Sequence, residues 1–227
     1  MSSIIFERVT KRFENGREAL SEISAEFASG SMTFLTGHSG AGKSTFLRLL
    51  IGAEAATRGH IHVDEVDIGR LGARRMPWYR RQVGVVFQDH NLLLQHSVFD
   101  NVALPLRISH LREREVSSRV RGALGRVELL GKEHLMPSQL STGERQRVGI
   151  ARAVVGRPKI LLADEPTGNL DPDLARSVME LFCRFNELGT TVLIASHDIG
   201  LIESLQMPVL NLVAGRIAEA SGVLGGP

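Results

Sequence analysis

The residues most able to do chemistry begin with a glycine-rich segment, FLTGHSGAGKSTFLRLL, near position 40. Gly37 is followed, after four residues, by Gly42, Lys43 and Ser44, with an apolar run before the segment and a helical pattern after it. Glycines at this spacing let successive amides point at phosphate oxygens, while the lysine reaches the β- and γ-phosphates and the serine hydroxyl ligates Mg²⁺. The segment therefore predicts a phosphate-binding loop. The simpler alternative is a glycine-rich turn that caps a helix.

A pair of carboxylates ends the apolar run in KILLADEP, residues 159–166. Asp164 and Glu165 follow a predicted buried strand, and open α/β sheets bind their ligands at the carboxyl ends of strands. In a phosphoryl-transfer site Asp164 would contact Mg²⁺ through water, and Glu165 would orient or activate the attacking water. The alternative is an acidic strand end that turns at Pro166. The presence of the glycine-rich loop favours the catalytic interpretation.

A second anion site is predicted at LSTGERQR, residues 140–147. Ser141 is a good N-cap residue, and Glu144 stands three positions later, which is the spacing of a capping box. Thr142 and Gly143 lie inside the box, and a helix N-terminus with a glycine beside it can bind an anion. We expect Ser141 to cap its helix in the free chain and to be able to turn towards a phosphate.

Strand and helix patterns alternate along the chain, which predicts an α/β domain with a mainly parallel sheet. Several of the apolar runs are continuous, as expected for strands covered on both faces. The predicted strands are 4–9, 32–36, 60–66, 83–87, 159–163, 191–195 and 209–213. The predicted helices follow Gly42 and span 144–155 and 172–187, and residues 97–139 read as a helical insertion, with Val116, Val120, Leu124 and Val127 on one face.

The composition and the apolar runs argue against a disulfide-stabilised, secreted or membrane-spanning protein. The 227 residues carry 43% hydrophobic and 23% charged residues and a formal net charge of +2, the balance of an ordinary globular protein. The single cysteine, Cys183, allows no intrachain disulfide and indicates a reducing compartment. The N-terminus lacks the apolar core of a signal peptide, and no run reaches the roughly 20 apolar residues of a membrane span. We expect a cytosolic chain whose membrane association comes through a partner.

These motifs together resemble the nucleotide-binding subunits of ABC transporters over nearly the whole chain. Residues 37–44 resemble the Walker A loop and 160–165 the Walker B strand, while residues 168–171 resemble the D-loop. Gln88 matches the Q-loop glutamine and His197 the switch histidine. LSTGE, residues 140–144, resembles the ABC signature, and we call it the signature segment. The resemblance implies a P-loop NTPase (RecA-like) core with a mainly parallel sheet, an N-terminal antiparallel β subdomain and an inserted α-helical subdomain.

The resemblance also implies a single ABC ATPase domain over 1–227, with the helical insertion at about 89–145, and a set of site residues around Mg-ATP. It assigns nucleotide contacts to Phe13, Gly37, His38, Ser39, Gly40, Ala41, Gly42, Lys43, Ser44, Thr45, Gln88, Ser141, Gly143, Glu144 and Asp171. It assigns Mg²⁺ binding to Ser44, Gln88 and Asp164, and catalysis to Lys43, Glu165 and His197. Phe13 stands where the family commonly has a tyrosine stacked on adenine; the alternative for this ring is a place in the core.

In this family two subunits stack head to tail, and each ATP lies between the Walker A loop of one and the signature segment of the other. The resemblance therefore implies a homodimer in the ATP-bound state, bound to an integral membrane subunit, with no nucleic-acid partner. The Ser141 hydroxyl and the Gly143 amide would donate to the γ-phosphate held by the second copy, assisted by the helix dipole.

Two residues depart from the usual signature, which has glycine where Thr142 stands and usually glutamine where Glu144 stands. If position 142 needs a positive φ, threonine would cost on the order of 1–2 kcal/mol, and if it is helical, little is lost. Glu144 brings a negative charge near the phosphate, though a capping interaction would hold it back. Slow turnover, or closure that depends on a partner, would follow from either departure.

Finer likenesses point to one branch of the family. FLTGHSGAGKST, FQDHNLL, DNVALPL, RVGIARAVV and LLADEPTGNLD most resemble the members that act in bacterial cell division. This implies a peripheral ATPase at the cytoplasmic face of the inner membrane, at the division septum, that drives its membrane partner to activate cell-wall hydrolases. The lipoprotein-release and macrolide-export branches share several of these motifs and remain the alternative. A soluble ABC protein acting on DNA or ribosomes is disfavoured by the single cassette.

The apolar NLLL at 91–94 is either a docking surface for the partner or part of the core.

Overall fold

The computed structural model describes residues 4–221, which form two sheets and seven α-helices within that range. The strands are β1 (Ile4–Arg12), β2 (Glu18–Phe27), β3 (Met32–Thr36), β4 (Arg58–Val63), β5 (Val66–Asp67), β6 (Val83–Val86), β7 (Ile160–Asp164), β8 (Thr191–Ala195), β9 (Val209–Val213) and β10 (Arg216–Ser221). The helices are α1 (Lys43–Leu50), α2 (Met76–Arg80), α3 (Val98–Ile108), α4 (Glu113–Arg126), α5 (Thr142–Val154), α6 (Pro172–Glu187) and α7 (Ile199–Leu205). No helix within residues 4–221 is long and apolar enough to cross a membrane.

The N-terminal sheet is antiparallel, with strand order β2-β1-β4-β5. Its apolar face packs on α1 through three aromatic rings. Phe6 stacks on Phe46 of α1 with ring centroids 4.1 Å apart, and Phe27 meets Phe46 edge-on at 6.0 Å. All three rings are almost fully buried. Because α1 begins at the end of the glycine-rich loop, this packing fixes the position of that loop.

The second sheet has the order β10-β9-β3-β8-β7-β6, in which only β10 runs antiparallel to its neighbour. Its central strands are buried on both faces, which explains their continuous apolar sequences. In β7, for example, Leu161 belongs to the apolar cluster on one face and Leu162 to the cluster on the other. The parallel strands end at one edge of the sheet, and the loops after β3, β6, β7 and β8 therefore meet there. This arrangement confirms the predicted α/β class and mainly parallel sheet.

The segment between β6 and β7 is helical, as its apolar spacing predicts. It contains α3, α4 and α5, and the four valine and leucine residues predicted on one face, Val116, Val120, Leu124 and Val127, are fully buried. Asn101 of α3 is buried as well, and its side chain bonds the segment that leads into the helix. Its Oδ1 accepts from the Leu93 amide at 2.8 Å, and its Nδ2 lies 3.0 Å from the Leu93 carbonyl oxygen. Where the insertion begins and ends as a unit remains a prediction.

Several boundaries differ from those predicted. The predicted strand 60–66 was wrong at its end, because the chain turns at Asp64, whose φ is 55°, and β4 and β5 form a hairpin there. The predicted helix 144–155 begins two residues earlier, at Thr142, since the capping residue is Ser141. The elements β2, β10, α2 and α7 had no clear pattern of their own. The glycine-rich sequence of residues 221–227 predicts a frayed end, but residues 222–227 lie outside the described residues.

Candidate functional site

A cavity of about 1000 Å³ opens where the loops after the parallel strands meet. It gathers most of the residues that the sequence analysis assigned to nucleotide and metal, although those residues come from four separate stretches of the chain. The predicted residues that line it are Gly37, His38, Ser39, Gly40, Gly42, Lys43, Ser44, Thr45, Gln88, Asp164, Glu165 and His197. A cavity of this size, at this edge of an open α/β sheet, is where a ligand of nucleotide dimensions binds.

The glycine-rich loop after β3 can adopt its path only with glycine at two positions. Gly37 has φ 138°, and a Cβ there would lie 2.2 Å from the Leu212 carbonyl oxygen. Gly42 has φ 112°, and a Cβ there would lie 2.7 Å from the Ala19 carbonyl oxygen. Gly42 is the N-cap residue of α1 and provides no side-chain cap, so the first amides of this helix have no side-chain acceptor from the cap. Such a helix start suits an anion.

Lys43, Glu165 and His197 form a chain of contacts at one wall of the cavity. Lys43 is buried, and its Nζ donates to the Gly37 carbonyl oxygen at 2.6 Å and lies 3.7 Å from Glu165 Oε1. The other carboxylate oxygen, Oε2, is 2.8 Å from His197 Nδ1. The Glu165 side chain is 14% exposed, whereas that of His197 is 69% exposed. The Glu165 carboxylate therefore lies between the Lys43 ammonium and the His197 imidazole, and most of the imidazole is exposed to solvent.

Glu165 carries backbone strain. Its φ is 50°, a backbone conformation that residues other than glycine rarely adopt. Its amide donates to the Ala195 carbonyl oxygen at 2.9 Å. Strained residues of this kind cost on the order of 1–3 kcal/mol and cluster at functional sites, where the surrounding structure holds them in place. Glu165 follows the last residue of β7, and in this conformation its carboxylate lies 2.8 Å from His197 Nδ1.

Ser44, Gln88 and Asp164 all line this cavity, and their oxygens are the donors that a hard divalent cation accepts. Mg²⁺ keeps several waters and uses only one or two carboxylates plus substrate phosphates, so this sparse donor set fits it. Among residues 4–221, no group of three or more His, Cys, Asp or Glu could hold a metal by itself. The donors therefore suit an ion that arrives together with a phosphate ligand.

The loop after Gln88 is hydrogen-bonded to α5 through Arg152. Arg152 donates from Nη2 to the His90 carbonyl oxygen and from Nη1 to the Asn91 carbonyl oxygen, both at 2.6 Å. Burial lowers the pKa of Arg152 and is also the main reason that the pKa of His90 is lowered. The cavity loop and the helix that begins at the signature segment are thus tied by charge-assisted bonds.

Within the apolar NLLL segment, residues 91–94, the side chains divide between two roles. Leu92 packs against the core, whereas Leu93 is 40% and Leu94 69% exposed. Leu92 is therefore part of the core, as one of the two interpretations predicted, whereas a docking role for the exposed Leu93 and Leu94 remains a prediction.

The signature segment lies at a second, smaller cavity of about 230 Å³ that is lined by Ser141, Gly143 and Glu144 together with residues of the helical region and α6. The predicted capping box is present. The Glu144 amide lies 3.3 Å from Ser141 Oγ, and the Ser141 amide donates to Glu144 Oε2 at 2.8 Å. Glu144 also pairs with Lys132, and this pair, followed by the Ser141 amide, lowers its pKa. The extra negative charge is therefore held by a lysine.

Thr142 is the first residue of α5 and has no positive φ, so the departure from glycine at this position brings no backbone strain. Gly143, in contrast, is demanded by packing, because a Cβ there would lie 2.3 Å from Leu174 Cδ2. Of the two cases considered for Thr142, the helical one, in which little is lost, is therefore the one that applies.

Three of the assigned residues line neither of these two cavities. Phe13 is half-buried in the hairpin between β1 and β2, with Lys11 Nζ 5.0 Å from its ring centroid. Ala41 is buried, and Asp171 caps α6 by accepting from the Leu174 amide at 3.0 Å. Their predicted nucleotide contacts remain predictions. Arg17 does line the cavity, and the sequence analysis missed it because nothing near it in sequence marks a phosphate site.

With this geometry established, the chain can be compared with known proteins. Residues 20–168 match the family model described as ABC transporter, so the chain belongs to the ABC transporter family and carries its ATP-binding cassette. The resemblance drawn from the motifs is thereby confirmed.

Within that family the chain is similar to the cell division ATP-binding proteins FtsE. It is 50% identical over 219 residues to the protein of Escherichia coli strain K12, covering 96% of this chain and 99% of that protein. It is 45% identical over 225 residues to the protein of Mycobacterium tuberculosis strain H37Rv, covering 98% of each. The dimeric, post-hydrolysis structure of an ATP-binding cassette bound to ADP and Pi superposes with a TM-score of 0.88 at 31% identity, over 98% of this chain and 100% of that one. This likeness confirms the predicted fold class.

Proposed function

We propose that this chain is the ATP-binding and ATP-hydrolysing subunit of a membrane ABC complex that acts in bacterial cell division. The observation that supports it best is the wall of the large cavity, where Glu165 contacts both Lys43 and His197 beside a glycine-rich loop. The similarity to FtsE proteins over almost the full length of both chains supports the biological setting.

In the proposed reaction the loop amides and Lys43 bind the phosphate chain, which gives the electrostatic stabilisation that phosphoryl transfer needs. Glu165 acts as the general base. Its Oε2 is engaged by His197, whereas Oε1 has only the long 3.7 Å contact with Lys43 and is the oxygen free to accept a proton from water. His197 orients this carboxylate and, being exposed, can also contact the γ-phosphate. Phe13 would stack on the adenine.

Ser44 and Gln88 would hold Mg²⁺, with Asp164 contacting it through water, and the ion would neutralise charge that develops on the phosphates. The remaining nucleotide contacts would come from a second copy. In a head-to-tail homodimer, Ser141 and Gly143 of one chain close over the nucleotide held by the other. The dimeric arrangement of the solved cassette bound to ADP and Pi supports this proposal.

The membrane partner would be an integral subunit resembling FtsX, which the chain drives to activate cell-wall hydrolases at the cytoplasmic face of the septum. Leu93 and Leu94 are exposed in the loop that follows Gln88, so a partner docked on them would sense the state of the nucleotide through this loop. Because Arg152 of α5 bonds this loop, a movement of the loop would also shift α5 and the signature segment.

The test of the nucleotide sandwich is the mass in solution of Glu165→Gln, measured by light scattering with Mg-ATP, with Mg-ADP and without nucleotide. Loss of the base should trap the closed form, so we expect a dimer with Mg-ATP alone, and the added change Ser141→Arg should return it to a monomer. A monomer at saturating Mg-ATP would contradict the proposed role of the signature segment.

The test of the biological setting uses the wild-type chain with two membrane proteins in lipid nanodiscs, an FtsX and a permease of the lipoprotein-release type. We expect co-purification with FtsX and a rise in steady-state ATP hydrolysis that Glu165→Gln abolishes. Association with the permease and not with FtsX would overturn the cell-division proposal while leaving the ATPase proposal standing.

A further inference from the structure

Arg17 is a cation in the wall of the large cavity that none of the motifs predicts. It lies in the hairpin between β1 and β2, and its backbone is fixed by two hydrogen bonds. Its amide donates to Asn15 Oδ1 at 3.1 Å, and its carbonyl oxygen accepts from the Phe13 amide at 2.9 Å. The N-terminal sheet thus presents one arginine at a defined place beside the glycine-rich loop.

The guanidinium of Arg17 lies close to Gly40 of that loop. Its Nη2 lies 3.8 Å from the position that a Cβ on Gly40 would occupy. Within residues 4–221 this side chain makes no ion pair, and the carboxylate next to it in sequence, Glu18, pairs with Arg12 at 2.8 Å. The positive charge of Arg17 is therefore available to a ligand.

The chemistry of that ligand follows from the neighbours. A planar guanidinium binds phosphate oxygens with two parallel hydrogen bonds, and the loop beside it presents amides to the same space. We propose that Arg17 contacts the phosphate chain of the nucleotide, as a second cation in addition to Lys43. The inference rests on the proposed nucleotide-binding function and adds a residue from the N-terminal sheet to the phosphate site.

Calorimetric titration of the purified full chain with ADP and with adenosine tests this role without interference from hydrolysis. Arg17→Met removes the charge and keeps most of the length, and we expect ADP to bind about ten-fold more weakly because a charge-assisted contact is lost. Adenosine affinity should change by less than about two-fold, since adenosine has no phosphate. Arg17→Lys should recover part of the loss, because it keeps the charge but not the forked geometry.

Arg48→Met is the matched control, since Arg48 is exposed on α1 and does not line the cavity. It removes the same charge from the same region, and ADP affinity should stay within about two-fold of the wild type. Unchanged ADP affinity in Arg17→Met would overturn the inference, as would an equal loss for adenosine, which would place the contact on the nucleoside. Failure of the wild-type chain to bind ADP or ATP would instead overturn the proposed function.

Discussion

Replacing Asn101 by aspartate exchanges the amide nitrogen of a buried side chain in the helical region, which makes several hydrogen bonds, for an oxygen. Asn101 is 0% exposed. Its Oδ1 accepts from the Leu93 amide, while its Nδ2 lies within 3.0–3.1 Å of the carbonyl oxygens of Leu93, His96 and Ser97. Aspartate keeps the acceptor and turns the donor into a second oxygen that faces three carbonyl oxygens.

The expected loss follows from these bonds. An amide nitrogen has two hydrogens, so at least two hydrogen bonds disappear, and each buried acceptor left without a donor costs about 1–3 kcal/mol. We therefore expect Asn101→Asp to lower the free energy of unfolding by about 4 kcal/mol at pH 7, or the melting temperature by roughly 10 °C for a chain of this size. The segment that follows Gln88 would loosen with it.

The deficit should also depend on pH. Burial and the facing carbonyls disfavour the charged form, so the folded pKa of the new carboxyl would lie above its unfolded value. The deficit is then smallest below the unfolded pKa, where the carboxyl is protonated in both states, and it grows as the pH rises towards the folded pKa. Acid conditions should therefore narrow the difference between Asn101→Asp and the wild type.

Urea unfolding followed by far-UV circular dichroism at pH 7 and pH 4.5 measures both effects. Asn15→Asp is the control, because Asn15 is exposed and uses only its acceptor oxygen, towards the Arg17 amide. It should cost less than about 0.5 kcal/mol. A loss below about 1 kcal/mol in Asn101→Asp would refute the reasoning, since it would mean that the three carbonyls find other donors at little cost.

Two further predictions concern single contacts. Tyr79 is buried and donates to the Leu50 carbonyl oxygen at 2.6 Å, so Tyr79→Phe should cost about 1–2 kcal/mol in urea unfolding, and no loss would mean that water replaces the hydroxyl. Glu144→Gln keeps an acceptor for the Ser141 amide but removes the charge that pairs with Lys132. Because that pair depresses the folded pKa of Glu144, its contribution is present above the unfolded pKa and is lost as the pH falls through the folded one. The variant should therefore be about 0.5 kcal/mol less stable than the wild type at pH 7, the difference should shrink as the pH falls below the unfolded pKa of Glu144, and a pH-independent difference would contradict this.

The comparison of sequence and structure shows which features local patterns predict. The strands 32–36, 191–195 and 209–213 and the helix 172–187 are found within the predicted limits, because continuous apolar runs and caps such as Asp171 act over a few residues. The missed elements have a different origin. The strand β2 pairs with β1 through shifted registers, and it alternates without a continuous apolar run. The short helix α2 is mostly exposed, so no buried face marks it in the sequence.

The sequence by itself determined the parts of the site that are contiguous. The glycine-rich loop and the capping box at Ser141 and Glu144 are local structures, set by residues a few positions apart through backbone conformation and short-range hydrogen bonds. The tertiary structure alone decided how the wall of the cavity is assembled. It brings Glu165 to His197, leaves Phe13 outside the cavity lining and places Arg17 beside Gly40. Such contacts depend on how two sheets and their loops pack against each other, and no pattern within a short segment encodes the distance between residues that lie far apart in the chain.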